Sequence, residues 1–212
     1  MHAGAVRVDG EKMSKSLGNF FTIRDVLEKY HPEVVRFLLV SSHYRSPINY
    51  AEDNLIEARA GLERFYGALR NYADVAATPF AEMADSVYYQ AFVDAMNDDF
   101  NTRVALAGMF DLVRDLNNAK GDQQLARKLA GELKALGLIL GVLQENPEVF
   151  LQAGAADQIA AETVEQLIAE RIQAKKDKQY ARADEIRQQL LAAGVVLEDS
   201  RDGTTLWRRE TV

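Results

Sequence analysis

"NYAEDNLIEARAGLERFYGALRNY", residues 49–72, places Leu55, Ala58, Leu62, Phe65, Leu69 and Tyr72 at steps of three and four. That period lines one face of a helix with apolar side chains and leaves the charges on the other. Asn49 with Glu52 three positions on offers a box-like helix start. "ATPFA" (77–81) breaks the pattern at Pro79. A long helix with one apolar face needs partners, so its neighbours decide the fold.

The neighbours repeat the pattern. A stretch over roughly 84–97 carries Tyr89, Phe92, Val93 and Met96 on one face. Asn101 caps the next, with Leu106, Phe110, Val113 and Asn117, and Gly121 ends it. Leu125, Leu129, Leu133, Leu136, Leu140 and Leu143 occupy a further helix, read as the core of one bundle rather than a zipper. Four helices with short connections predict an antiparallel bundle over 49–145.

Outward to the C-terminus, "ENPEVFLQAGAADQ" (145–158) holds the linker, taken as 146–157. Two helices over about 160–177 and 180–192 come next, with Gly194 as C-cap. "VVLED" and "TTLWR" around "SRDG" predict a hairpin, making 158–212 a small α+β domain. Outward to the N-terminus, "AVRVD" (5–9) reads as a strand. Thr22 with Asp25 forms a capping box for a helix to about Tyr30, and Pro32 opens the buried helix "EVVRFLLV" (33–40). Residues 1–48 are thus a small mixed segment, and the fold class is mainly α.

Net charge is −7 over 212 residues, but unevenly spread. Residues 1–50 carry seven Lys/Arg against five Asp/Glu, residues 51–169 nine against nineteen, and residues 170–187 six against four. A nucleic-acid partner should therefore touch the ends and avoid the acidic middle. The absence of cysteine excludes disulfides and thiolate zinc sites. His2, His31 and His43 form no pair at metal-ligand spacing. No apolar run reaches the roughly 18 residues of a membrane span, and the N-terminus has no signal-peptide pattern.

"EKMSKSLGNFF" (11–21) sets Lys12, Ser14, Lys15 and Ser16 beside Gly18. Two ammonium groups on a loop suit a transition state that spreads negative charge over phosphates. The helix starting at Thr22 would add its N-terminus, aimed back at the loop. From composition alone a solvated loop is the simpler reading. Towards the other end, Tyr180, Asp184 and Arg187 fall at steps of four and three on one helix face. An aromatic ring, a carboxylate and a guanidinium can stack on and read unpaired bases. The alternative is a solvated face with an Asp184–Arg187 ion pair. Trp207 reads as hairpin core, and Arg208 and Arg209 as phosphate contacts or a solvated tail. Tyr44 and Arg45 are either a packing pair at a helix joint or a contact to an RNA stem.

The run Lys12-Met13-Ser14-Lys15-Ser16-Leu17-Gly18-Asn19 resembles the KMSKS signature of class I aminoacyl-tRNA synthetases. With "MHAGAVRVDG", "HPEVVRFLLVSSHYRSPINY", "DDFNT" (98–102), "GVVLED" and "GTTLWRR", the chain resembles cysteinyl-tRNA synthetases along nearly its whole length. The resemblance implies ATP binding by Lys12, Met13, Ser14, Lys15 and Ser16, with Lys12 and Lys15 catalytic. It implies a stem-contact segment, a DALR-type bundle, and an anticodon-binding domain using Lys175, Tyr180, Asp184, Arg187 and Asp199. Tyr180 stands where the family often has tryptophan.

The same resemblance implies a cytoplasmic, monomeric cysteine–tRNA ligase that takes ATP with magnesium, cysteine and tRNA(Cys). That family's nucleotide fold, HIGH motif and zinc site lie upstream of KMSKS, so the zinc belongs to the full enzyme and has no ligands here. The chain alone is expected to bind tRNA without catalysing. Alternatives are the related cysteine ligase of mycothiol synthesis, a free-standing tRNA-binding protein derived from a synthetase, and an acidic helical scaffold.

Overall fold

The computed structural model describes residues 2–153, 159–200 and 203–210. The chain divides into two compact units, residues 1–147 and 148–212.

In the first unit, β1 (Val6–Val8) pairs antiparallel with β2 (Glu11–Lys12) and parallel with β3 (Ile48–Tyr50), giving the order β2-β1-β3. Only β1 was expected. The crossover between β1 and β3 contains α1 (Ile23–Leu27) and α2 (Pro32–Val40). The Thr22–Asp25 capping box is present, and Pro32 takes the first turn of α2. α1 stops at Leu27, three residues short of the expected end.

The bundle comes next. α3 (Glu52–Leu69) buries Leu55, Ala58, Leu62, Phe65 and Leu69, and Tyr72 beyond its end is buried too. Its start differs from expectation. Ala51 is the N-cap without a side-chain bond, and Asn49 lies in β3, where its Oδ1 accepts the Gly10 N–H at 2.8 Å. A side chain spent on tying β3 to the turn after β1 cannot cap a helix. Gly61 lets α3 approach α2, since a Cβ there would meet Phe37 Cε1 at 2.7 Å.

α4 (Val87–Asn97) is capped by Ser86, and α5 (Thr102–Asn118) by Asn101, whose Oδ1 accepts the Val104 N–H. α6 (Gln123–Leu140) buries Leu129, Leu133, Leu136 and Leu140. Leu125 is exposed, and Leu143 lies past the helix, which Gly141 closes at φ 68. Asn117 faces solvent; the buried stripe of α5 is Ala105, Leu106, Met109, Leu112, Val113 and Leu116. Each fully buried Leu or Phe contributes about 1.5–3 kcal/mol.

Two buried carboxylates tie this unit together. Glu132 on α6 accepts the Ser86 hydroxyl at 2.6 Å, holding the cap of α4. Glu33 on α2 accepts the Tyr66 hydroxyl at 2.6 Å and the N–H groups of Leu143 and Gln144 at 2.9 and 2.7 Å. Burial, and then the Glu33 bond, push the Tyr66 phenol far up, so it stays neutral.

The stretch expected as a linker contains α7 (Pro147–Gln152); Gly154–Gln158 lie outside the described residues. In the second unit α8 (Ala161–Lys176) and α9 (Tyr180–Ala192) pack on a hairpin of β4 (Val195–Asp199) and β5 (Thr205–Arg209). Gly194, at φ 72, comes after the last turn of α9, as the helix stop requires. Val164, Ile168, Ile186, Leu190, Val195 and Trp207 form the core. Trp207 donates its ring N–H to Glu165 at 2.6 Å, so the core reading of this residue stands.

Candidate functional site

The lysine-serine segment is an ordered turn rather than an open loop. Met13 N–H donates to the Val6 carbonyl, extending the β1–β2 pairing. Residues Lys15–Leu17 then make one turn of 3-10 helix, with Ser14 Oγ accepting the Leu17 N–H at 3.3 Å. Gly18 closes it at φ 68, a conformation that suits glycine. Asn19 crosses behind: its Oδ1 accepts the Ser14 N–H at 2.8 Å, and its Nδ2 donates to the Lys12 carbonyl at 3.3 Å.

Lys12 and Lys15 are exposed and have no carboxylate partner among the described residues. The Lys15 ammonium sits 5.4 Å from the centre of the Phe20 ring. Two uncompensated cations on a preformed turn can receive a polyanion without first breaking an ion pair. Ser14 and Ser16 hydroxyls lie 3.0 Å apart beside them.

The helix N-terminus expected to help is partly occupied. Asp25 occupies it, accepting the Thr22 N–H and hydroxyl at 2.7 and 2.9 Å. The Thr22 backbone bond, foremost, holds that carboxyl below its usual range. A carboxylate already seated at this helix end repels a second anion, so the lysines and hydroxyls are the better placed groups for a phosphate.

Tyr44 and Arg45 meet the "DDFNT" turn. The Tyr44 hydroxyl donates to Asp99 Oδ1 at 2.8 Å, and Arg45 Nε lies 3.1 Å from Asp99 Oδ2. Thr102 Oγ1 donates to the Ser42 carbonyl at 3.4 Å. These bonds hold Asp99 and Phe100 left-handed, at φ 55 and 54, a conformation that costs non-glycine residues energy. The pair therefore braces this joint, while the Arg45 side chain stays 62% exposed.

In the second unit, Tyr180, Asp184 and Arg187 are exposed on α9, with Tyr180 63% accessible. No Asp184–Arg187 ion pair forms. Lys175 and Asp199 come together at 3.0 Å, but Asp199 is heavily engaged. Its two oxygens take Arg171 Nη1 and Nη2 at 2.9 and 2.8 Å, and Oδ1 also takes the Thr205 hydroxyl at 2.8 Å. The Arg171 bonds, with Thr205 and Lys175, hold its carboxyl far below the usual range.

Arg171 was not singled out from the sequence, yet it is only 4% exposed. The signal was there: it falls three residues after Ile168 and seven after Val164, on the apolar stripe of α8. Arg208 and Arg209 are not a solvated tail. Arg208 pairs with Glu198 at 3.3 Å, and the buried Arg209 donates to the carbonyls of Gln152 and Ile159 at 2.9 and 2.7 Å. Arg209 shares the inward side of β5 with Trp207, two residues away, which buries it.

Among the described residues no group of three or more His, Cys, Asp or Glu is placed to hold a metal, so the residues present do not fit a resident zinc. Nor is any described helix long and apolar enough to cross a membrane.

Three family models match the chain in order. Residues 1–60 match the tRNA synthetases class I (C) catalytic domain, 91–144 the DALR domain, and 158–208 the cysteinyl-tRNA ligase anticodon binding domain. Cysteine–tRNA ligases of Azotobacter vinelandii, Ectopseudomonas mendocina and Pseudomonas aeruginosa are 62, 59 and 54% identical over 209 residues. The chain belongs to the cysteinyl-tRNA synthetase family. Each match covers 98% of this chain and 44% of the relative, so the chain spans less than half the length of the synthetases it matches. Among solved structures, the LeuRS of an Agrobacterium radiobacter K84 ternary complex, LeuRS-tRNA-LeuAMS, is 27% identical at a TM-score of 0.50. The likeness covers 66% of this chain and 20% of that one. The DALR match takes in most of α4 with α5 and α6, and the helix-hairpin unit carries the match to the anticodon-binding domain.

Proposed function

We propose that this chain is the tRNA-holding part of a cysteine–tRNA ligase, and that it supplies one loop of the site where cysteine is activated. The observation that carries the reading is the pairing of an ordered, cation-bearing turn at 12–18 with an exposed Tyr180–Asp184–Arg187 face on an anticodon-domain helix. In the reaction proposed for the whole enzyme, the cysteine carboxylate oxygen bonds to the α-phosphorus of ATP and the bond to pyrophosphate breaks. A terminal ribose hydroxyl of tRNA(Cys) then forms an ester with the cysteine carbonyl, its proton is lost, and the bond to AMP breaks. Lys15, with Lys12 in support, stabilises the phosphate charge, and Met13, Ser14 and Ser16 complete the ATP contact. Magnesium would accompany the nucleotide, and zinc would sit in the part of the enzyme that these residues do not form.

At the other end, Tyr180 stacks on an anticodon base while Asp184 and Arg187 address base edges. Lys175 reaches the RNA backbone from a position fixed by Asp199, so Asp199 contributes mainly by orienting Lys175. We place the protein in the cytoplasm as a monomer, with domains at 1–48, 49–145 and 158–212. The mycothiol-type ligase is disfavoured by the anticodon-domain match, which a ligase without tRNA has no use for. A free-standing tRNA-binding protein remains the second reading.

The test is binding of tRNA bearing a GCA anticodon, compared with the same tRNA mutated in the anticodon. The first should bind and the second should bind more weakly; equal, negligible binding of both by folded protein would overturn the reading. Tyr180→Ala should weaken GCA-tRNA by about 5- to 150-fold, the 1–3 kcal/mol of one stacked base. The chain alone should give no cysteine-dependent pyrophosphate exchange. Exchange would show it to be a complete enzyme.

A further inference from the structure

We propose that Asn19 is a positioning residue of the lysine-serine turn, setting the grip of Lys12 and Lys15 on a polyphosphate without touching it. The inference rests on the ATP reading of the turn and goes beyond it.

Asn19 lies after the turn, yet its carboxamide reaches back to the strand that enters it. Oδ1 takes the Ser14 N–H on one side, and Nδ2 reaches the Lys12 carbonyl on the other. Lys12, Ser14 and Asn19 are thereby locked into one frame. The Ser14 side chain then closes the Lys15–Leu17 turn through the Leu17 N–H. Lys15 is thus held at its start by a residue that Asn19 fixes, and Lys12 is held through its own carbonyl. Gly18, at φ 68, turns the chain back so that Asn19 can reach. Both ends of the carboxamide are spent on backbone, so Asn19 acts only through the lysines.

A frame of this kind raises anion affinity by removing the ordering cost of the loop that carries the two cations. Two substitutions loosen it by unrelated routes and leave every charge in place. Asn19→Ala removes the tie. Gly18→Ala opposes the left-handed φ, and its added Cβ meets nothing within 4 Å, so it introduces no clash. Both lie in an exposed turn outside the buried core.

The experiment titrates the 212-residue protein and its variants with inorganic tripolyphosphate, read by NMR at the lysine side chains. Solvent exchange of the Ser14 and Leu17 amides is measured in parallel. Asn19→Ala and Gly18→Ala are each expected to speed that exchange and weaken tripolyphosphate by about fivefold, the scale of one lost hydrogen bond. Lys15→Ala should weaken binding while leaving the amides protected. Faster exchange with unchanged binding would overturn the role of Asn19 and leave the ATP reading standing, as would unchanged exchange and unchanged binding together. No binding by the native chain, or binding indifferent to Lys15→Ala, would instead bring down the ATP reading, and the inference with it.

Discussion

Asp199→Ala is expected to remove most of the stability of the 148–212 unit. Arg171 is buried among Val164, Ile168 and the hairpin, with its side chain 5% exposed, and Asp199 meets it with two parallel bonds. Removing one partner of a buried pair costs about 3–5 kcal/mol, because the remaining charge is left desolvated. Asp199 is itself 42% exposed, so water can partly replace it and the lower end, about 3 kcal/mol, applies. A core of this size rarely supplies more than about 3–5 kcal/mol, so the loss takes most of the stability. Trp207 is the chain's single tryptophan and lies in this core, so its emission reports the unit alone. The urea midpoint read by its red shift is expected to fall sharply in Asp199→Ala; a midpoint unchanged from the native one would refute the account.

The same pair sets an acid limit. Arg171, with Thr205 and Lys175, depresses the Asp199 carboxyl in the folded state, so the charged form is the one that folding favours. Its contribution is fully present above the unfolded value of about 3.9 and is lost as pH falls below that. Stability of the unit read by Trp207 should therefore drop steeply below about pH 4. In Asp199→Asn that part of the slope should vanish.

Glu33→Ala is the second large effect, this time in the first unit. One carboxylate satisfies the Tyr66 hydroxyl and the N–H groups of Leu143 and Gln144. Leu143 is held at φ 61, so the turn after α6 depends on these bonds for an unfavourable conformation. Stranding buried donors costs about 1–3 kcal/mol each, so a loss of about 3 kcal/mol or more is expected. Urea unfolding followed by far-UV circular dichroism should show the bundle's midpoint fall by about 1–2 M. Glu33→Gln should recover only part, since its amide group presents N–H to N–H on one side. A midpoint within error of the native one would refute the hub role.

Much of this architecture can be read from one-dimensional pattern. The 55–72 stripe, the Asn101 cap and the Thr22–Asp25 box are local, and local geometry is what spacing encodes. β2 and β3 escaped because strands of two and three residues carry almost no period, and β3 pairs with β1 across some forty residues. Asn49 misled for the same reason: its partner, Gly10, is distant in sequence. The turn at 12–18 was legible as chemistry but not as an ordered frame, since the tie through Asn19 depends on folding the chain back at Gly18. Arg171 and Glu33 look like ordinary surface charges until the stripe around the first and the turn 110 residues beyond the second are in place.

The resting place of Lys15 over Phe20 bears on timing. A lysine held by a carboxylate must shed that counter-charge before it can serve a phosphate, and the exchange slows arrival and departure alike. A ring face holds the ammonium by its quadrupole, weakly and without a net charge of its own. The cation is kept near its post yet can leave at little cost, so capture and release of a polyphosphate need not wait on the breaking of an ion pair.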